Sequence, residues 1–456
     1  MKTTGNSGRF RLPGQSWYFK AILLHLFVNP LAMRRKILVF LLFINLPFLL
    51  AAQESRSQQE TFNEAEYFFM AGDYPDALSY YLQLYKNLPD NAFLAYRCGV
   101  CCLNTEGKKN LSIDYLETAS RNMSAKQKEG SVTQVAAPYD ALYELGEAYL
   151  VNYQFTKASE AFRKYAATLM PDDHENIDFV NQQISSCEVA KKLIANPVQF
   201  TEENLGAPIN DDKSNNSPII SGDGKTFAFM SAMKFYNAIM VSRLVNGKWG
   251  EPVNITSDLQ ADGEVFISCL SHDGKTLYLS VNDNYNSDIY SSTFNGTKWS
   301  PVVKLNKNIN TRYWESHAFV SDDGSLMIFS SDRPGGFGGL DLYSCKKVKG
   351  EWGPATRLGS EINTPFNEDR PFLTTNGKIL FFSSQGHETM GGYDIFRSNL
   401  QTNGIWSKPE NLGYPINTPD DNLFFMPVDN GKAGYYPEYK EADGVAREDI
   451  YKITFK

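Results

Sequence analysis

The chain has 456 residues, 42% hydrophobic and 13% aromatic, enough to build more than one buried core. Its formal net charge is −8 with no long basic run, which argues against nucleic acid as a partner. Six cysteines are too sparse at this length for a disulfide framework.

Residues 1–52 differ from everything that follows. Met33-Arg34-Arg35-Lys36 is basic, residues 37–50 are apolar, and Ala51-Ala52 precede Gln53. This order predicts a secretory signal peptide cleaved after Ala52, with Met33 as the true start. The apolar run is shorter than the roughly 20 residues a membrane span needs, which favours cleavage over anchoring. No Cys follows the run, so a lipid-modified N-terminus is not expected.

Residues 53–196 form the second predicted domain, and their periodicity is helical. Ala65, Gly72, Tyr74, Ala77, Tyr81 and Pro89 fall at the spacings of a tetratricopeptide repeat. In such repeats small residues let paired helices approach and aromatics fill the groove between them. A looser second copy carries Gly99, Cys102 and Ala119. A third carries Leu142, Leu145, Gly146, Tyr149, Phe155, Ala158, Phe162 and Pro171. Residues 124–138 are polar and read as an extended loop, and a last helix over about 176–195 would cap the stack. Cys98-Gly99-Val100-Cys101 has the spacing of a redox or metal pair. With no second pair and no His nearby, the reading is small, buried helix residues. The stack offers one concave face, suited either to binding a peptide or protein or to bracing the next domain.

Residues 197–456 repeat one pattern five times. Its markers are Asp223-Gly224, Asp273-Gly274, Asp323-Gly324, Asn376-Gly377 and Asn430-Gly431, with Trp249, Trp299, Trp352 and Trp406 in phase. In the third copy, residues 316–321 and 325–330 are short apolar runs around the Asp-Gly, read as a two-residue hairpin with both turn positions at positive φ. Residues 341–348 follow as a third strand. Asn246-Gly247, Asn295-Gly296 and Asn403-Gly404 mark second hairpins in other copies. Each copy therefore predicts four antiparallel strands, one blade of a five-bladed propeller. The last copy ends on its third strand. Residues 198–210 match 352–363 and 406–417 through shared Leu-Gly and Ile-Asn pairs, so 198–204 is expected to supply the missing strand and close the ring. The fold class is thus α + β multidomain, an α-solenoid followed by an all-β propeller with N-terminal strand closure.

The segments Ser321-Asp322-Asp323-Gly324, Ile328-Phe329-Ser330-Ser331-Asp332-Arg333-Pro334-Gly335-Gly336 and Leu340-Asp341-Leu342-Tyr343 resemble the TolB-type, WD-like propeller repeat. With the helical repeats before them, the chain resembles the exported repeat–propeller proteins of Bacteroidetes over about residues 57–456. The resemblance implies a Gram-negative envelope protein, periplasmic or outer-membrane associated. Some relatives serve in secretion or envelope assembly, and others continue into an OmpA-like peptidoglycan-binding domain. This chain ends at Lys456 after its last strand, so direct peptidoglycan binding is not expected, and membrane association would run through partners.

Candidate chemistry is sparse. Asp288, Asp341, Asp394 and Asp449 stand before the third strand in four copies, where Ala238 stands in the first. They read as turn braces accepting backbone N–H bonds from their own loops rather than as a calcium site. Residues 334–339 are Gly-rich but lack the Gly-Lys-Ser/Thr of a phosphate loop. No Gly-x-Ser-x-Gly elbow occurs, the five histidines are scattered, and Arg312, Arg333 and Arg370 do not make a convincing arginine triad. No catalytic residue, metal site or cofactor is assigned. The partner-binding candidates cluster where first strands begin and in the loops between second and third strands: Arg312, Trp314, Glu315, Arg333, Phe337, Glu368, Arg370 and His387. Trp314 reads equally as an exposed anchor or as packing between blades. Two readings of function stand. One is a non-enzymatic envelope scaffold that binds proteins through the propeller mouth and helical groove. The alternative is a carbohydrate- or peptide-processing enzyme, or a small-ligand binder, with its site in the channel.

Overall fold

The computed structural model describes residues 57–456 apart from 129, 283, 284, 443 and 444. The expected signal peptide, with Met33 and Ala52, lies outside the described residues. A helix over residues 57–70 (α1) is followed by α2 (Tyr74–Asn87), α3 (Ala92–Leu103), a 3-10 turn (Lys109–Leu111), α4 (Ser112–Ala119), α5 (Ala141–Val151), α6 (Phe155–Ala166) and α7 (His174–Ile194). From α2 onward each helix packs on the next in chain order. Asp73, Asn91 and Asp173 start α2, α3 and α7 by accepting the N–H of Asp76, Leu94 and Asn176. Two glycines set the spacing. A Cβ on Gly99 would sit 2.5 Å from Leu116, and one on Gly146 would sit 2.5 Å from Phe162. Cys98, Cys101 and Cys102 are free and buried on α3. Burial pushes the Cys101 and Cys102 thiols up to about 12 and about 11, so both stay protonated. The expected extended loop instead folds back: Ser124 N–H donates to Ala137 O (2.9 Å) and Phe93 N–H to Val135 O (3.0 Å).

The strands form five antiparallel sheets. After β1 (Phe200–Asn204) the first blade holds β2 (Asn215–Ile220), β3 (Thr226–Ala232), β4 (Asn237–Val245), β5 (Lys248–Trp249) and β6 (Val253–Asn254), then α8 (Thr256–Leu259). The second holds β7 (Glu264–Leu270), β8 (Thr276–Asn282), β9 (Ser287–Thr293) and β10 (Val303–Lys304). The third holds β11 (Glu315–Val320), β12 (Leu326–Ser331), β13 (Asp341–Val348), β14 (Glu351–Trp352) and β15 (Thr356–Arg357). The fourth holds β16 (Glu368–Leu373), β17 (Ile379–Ser384), β18 (Asp394–Asn399) and β19 (Glu410–Asn411). The fifth holds β20 (Met426–Val428), β21 (Ala433–Ala442) and β22 (Val445–Phe455), with β1 as its outer strand. β1 pairs β22 from Phe200↔Phe455 to Asn204↔Tyr451. The first strands of neighbouring blades pack together around the axis, and one continuous apolar core runs through all five blades.

The repeated Ile-Asn pair explains how loops are held to blades. The Asn310 side chain accepts from Ile289 N–H (2.8 Å) and donates to Ile289 O (2.7 Å), bonding both backbone groups of one third-strand residue. Asn363 does the same to Leu342, and Asn417 to Ile395. Asn210, from the closing segment, does it to Ile450 in the last blade, 240 residues away. The closure is therefore the same clamp used inside the other blades.

The Asp-Gly turns differ from the two-residue hairpin read in sequence. Only the glycine is left-handed, with φ of 70°, 64°, 70° and 67° at Gly224, Gly274, Gly324 and Gly377. The turn is longer and closed by side chains. Ser321 Oγ donates to Asp323 (2.6 Å) and accepts from Leu326 N–H (3.0 Å), while Asp323 accepts from Ser325 N–H (3.0 Å). These bonds hold the Asp in an ordinary turn conformation, so no positive φ is needed there. The fully left-handed pair does occur at the fifth marker, Asn430-Gly431, and at two second hairpins, Asn246-Gly247 and Lys349-Gly350.

Candidate functional site

The loops close and aim the blades alike, so differences between copies point inward. Seven residues before each turn glycine stand Ser217, Ile267, His317, Arg370 and Phe424, no two alike. In β2, β11 and β16 the pairing register slips at this level, which re-aims the side chains there. Ser217 (φ 52°) and Arg370 (φ 51°) are left-handed, each just before a proline, a conformation uncommon for residues other than glycine.

Ser217, Arg370 and Phe424 line a cavity of about 320 Å³ at the channel mouth, with Asn216, Phe266 and Tyr436. The Arg370 guanidinium lies 4.8 Å from the Phe424 ring centroid, and its buried Nε has no hydrogen-bond partner. Burial lowers its pKa, against the fields of Asp369 and Asp421. Glu448, also at the mouth, accepts from Asn216 Nδ2 (2.7 Å), and burial pushes its carboxyl up. Deeper in, Asp369 accepts from Ser316 Oγ (2.6 Å) and bonds His317 Nδ1 (3.0 Å). Burial would raise the Asp369 carboxyl, but the facing His317 and Arg370 outweigh it and hold it well below the usual range. The carboxylate sits between serine and histidine, so this histidine is not placed to take the serine proton.

Several residues expected at the mouth are buried instead. Glu315 and Glu368 have no exposed surface. Glu315 accepts from Thr311 N–H (2.8 Å), Ser331 Oγ (2.8 Å) and Arg333 (3.2 Å). Glu368 accepts from Thr364 N–H (2.8 Å) and Ser384 Oγ (2.7 Å), and burial pushes its carboxyl up to about 7. Both tie the loop before the first strand to the end of the second. Arg333 completes the same tie by donating to Asn308 O and Ile309 O. The His387 ring bonds Ile362 O (2.9 Å) and packs on Phe382 and Phe396. Trp314 is half-buried, Arg312 is exposed beside Tyr313, and Phe337 is exposed with Arg357 stacked 3.8 Å from its ring centroid. Asp341 accepts from Phe337 and Gly338 N–H, and Asp394 from Met390 N–H. Asp288 and Asp449 instead take side-chain partners: Lys304 and Asn286 for the first, Arg447 and Asn204 for the second.

Sequence reasoning named Phe337 but missed two further features. Loops between second and third strands in the first three blades carry exposed aromatics: Phe235 (85% exposed), Tyr285 (95%) and Phe337 (44%). An aromatic inside a polar loop was a readable signal for the first two. The equivalent loop of the fourth blade is taken up by the chain itself. Gln182 on α7 donates to Gln385 O (3.1 Å) and His387 O (2.8 Å), and Ser186 bonds Thr389 (2.9 Å). Phe179 packs on Phe366, Tyr153 on Tyr414, and Lys109 pairs with Asp420. Between the helices and this rim lies a chamber of about 530 Å³, lined from the helical side by Tyr96, Tyr143, Glu144, Glu147 and Gln183. Asp421 lines both cavities.

Among the described residues no helix is long and apolar enough to cross a membrane, and no cluster of three or more His, Cys, Asp or Glu could hold a metal ion. No family model and no curated protein matches the chain. Among solved structures it is similar to TolB from Acinetobacter baumannii, at 16% identity over 61% of this chain and 70% of that one, TM-score 0.34. It is also similar to a protein named as TolB from Agrobacterium tumefaciens (18% identity, 56% and 92%, TM-score 0.33). A third is an alpha-L-arabinofuranosidase from Podospora anserina in complex with cellotriose (10% identity, 57% and 97%, TM-score 0.36).

Proposed function

We propose that this chain is an exported, non-enzymatic scaffold of a Gram-negative envelope, in the periplasm or at the outer membrane, that binds envelope proteins and takes part in secretion or envelope assembly. Its helices are read as tetratricopeptide repeats of the Bacteroidetes repeat–propeller type. One observation carries the reading. Phe235, Tyr285 and Phe337 stand exposed on three neighbouring loops of one rim, while the fourth loop is engaged by α7. Aromatics on loops of a rigid frame are typical protein-binding anchors. Arg312 and Trp314 are read as extending this surface, since the Trp314 backbone bonds Asp332 at the start of the third such loop. The test is affinity capture from envelope fractions with wild type, a Phe235→Ala/Tyr285→Ala/Phe337→Ala variant and a Trp314→Ala/Arg370→Ala variant. Partners captured by wild type are expected to be lost with the aromatic variant. Identical capture by all three would reject the rim as the binding face.

A second reading, small-ligand binding at the mouth, is favoured by the unpartnered Nε of Arg370 in its cavity. It expects a ligand-dependent rise in melting temperature that Arg370→Ala abolishes.

A further inference from the structure

The chamber between helices and propeller has an excess of acceptors. Of the cations near it, Arg97 lines the chamber and pairs with Glu66 (3.0 Å) while its buried Nε has no partner, and Lys109 pairs with Glu106 and Asp420. The Glu144 carboxyl has no hydrogen-bond partner among the described residues, and Glu147 receives the Tyr143 hydroxyl (2.9 Å). Gln183, 4% exposed, lines the chamber, and its Oε1 is buried without a partner. A buried acceptor left unmatched, as Gln183 Oε1 is, costs about 1–3 kcal/mol. Burial pushes the Glu144 and Glu147 carboxyls up to about 7 and about 8. The remaining wall is aromatic: Tyr96 from α3, and Tyr143 stacked on Phe179 (5.9 Å) from α5 and α7. Carboxylates and an amide oxygen inside an aromatic wall call for a compact cation with several N–H donors and an apolar stem.

We propose that this chamber binds a primary ammonium group on a short aliphatic chain, with Glu144, Glu147 and Gln183 as its acceptors and Tyr96 and Tyr143 along its stem. The chemistry is shared by a free alkylamine and by the side chain of a lysine in a bound protein. The proposal deepens the scaffold reading, resting on the helical groove as a binding surface.

Calorimetric titration of the full chain at about pH 8.5, where carboxyls shifted this far are largely ionised, tests it. The probes are 1,5-diaminopentane and the blocked peptide Ac-Ala-Lys-Ala-NH2. Their neutral counterparts are 1,5-pentanediol and the norleucine peptide. At least one amine is expected to bind, with its neutral counterpart roughly tenfold weaker or worse. The amine that binds identifies the source. Glu144→Gln/Glu147→Gln keeps side-chain size and removes two half-buried acids, so it should fold. Gln183→Met is a second variant that leaves both acids in place. Each should weaken binding roughly tenfold or more. Equal binding of the diol and the diamine, or unchanged affinity in both variants, would overturn the proposal. An absent amine response with envelope partners still captured overturns the chamber alone. Amine binding with no partner captured overturns the scaffold reading alone.

Discussion

Asn310, Asn363, Asn417 and Asn210 each replace a strand partner with one amide that both accepts and donates. An Asp in that place keeps the acceptor and loses the donor, leaving a buried carbonyl unmatched. Asn363→Asp is therefore expected to cost about 1–3 kcal/mol in chemical denaturation, and wild-type stability in that variant would reject the clamp. Glu315 belongs to the same scale. Removing it takes the carboxylate from Arg333, which keeps Asn308 O and Ile309 O, and leaves the donors of Thr311 and Ser331 unmatched. Glu315→Ala should cost about 3–5 kcal/mol while partner capture per folded molecule stays unchanged. A stable variant that loses its partner would return Glu315 to the binding surface.

At the scale of elements, β1 carries more than its length suggests. It pairs five residues of β22 and brings Asn210 to Ile450. Without it β22 becomes an open edge. At about 1 kcal/mol per hydrogen bond and roughly 2–4 °C per kcal/mol, deleting residues 202–210 should lower the melting temperature by about 10 °C or more. An unchanged transition would show that the ring holds without closure. The helix pairs depend on closeness instead. Gly146→Leu would drive a side chain into Phe162, since even a Cβ at that position would sit 2.5 Å from the ring. Overpacking of this kind costs about 1–3 kcal/mol or more in a melt. The strands, the places of their turns and the closing segment are legible in sequence because each blade repeats the same local bonds. The turn type is not, because Ser321 and Asp323 supply by side chain what a left-handed Asp would have supplied by backbone.

At the scale of the whole molecule, residues 61–456 form one compact unit, and burying acids within it leaves a pH signature. Glu144, Glu147, Glu368 and Asp394 are pushed up by burial to about 7, 8, 7 and 8. In the unfolded chain the same groups ionise near 4.5 or 3.8. Between these limits the folded state holds more protons, so the stability from neutral carboxyls is full below the unfolded pKa and is lost as pH rises through the folded one. His317 and His387, pushed down by burial, act in the opposite sense only below their ordinary 6.5. The melting temperature should thus fall from about pH 6.5 to about pH 8.5, and Glu147→Gln/Asp394→Asn should flatten the fall. Calorimetric melts across that range check it, and a flat wild-type profile would contradict the burial of these groups.

The amino-acid sequence by itself determined the blade count, the places of the turns and the strand that completes the ring. Each of these rests on bonds between residues a few positions apart, or on a motif copied from blade to blade, so the period records them. Only the tertiary structure decided which candidate residues face outward. Glu315 and Glu368 looked like mouth residues, yet the loops before their strands fold over them. The meeting of α7 with the fourth blade joins Gln182 to Gln385, 203 residues apart, in one copy only. Contacts made once between distant segments have no period, and burial depends on what the rest of the chain covers.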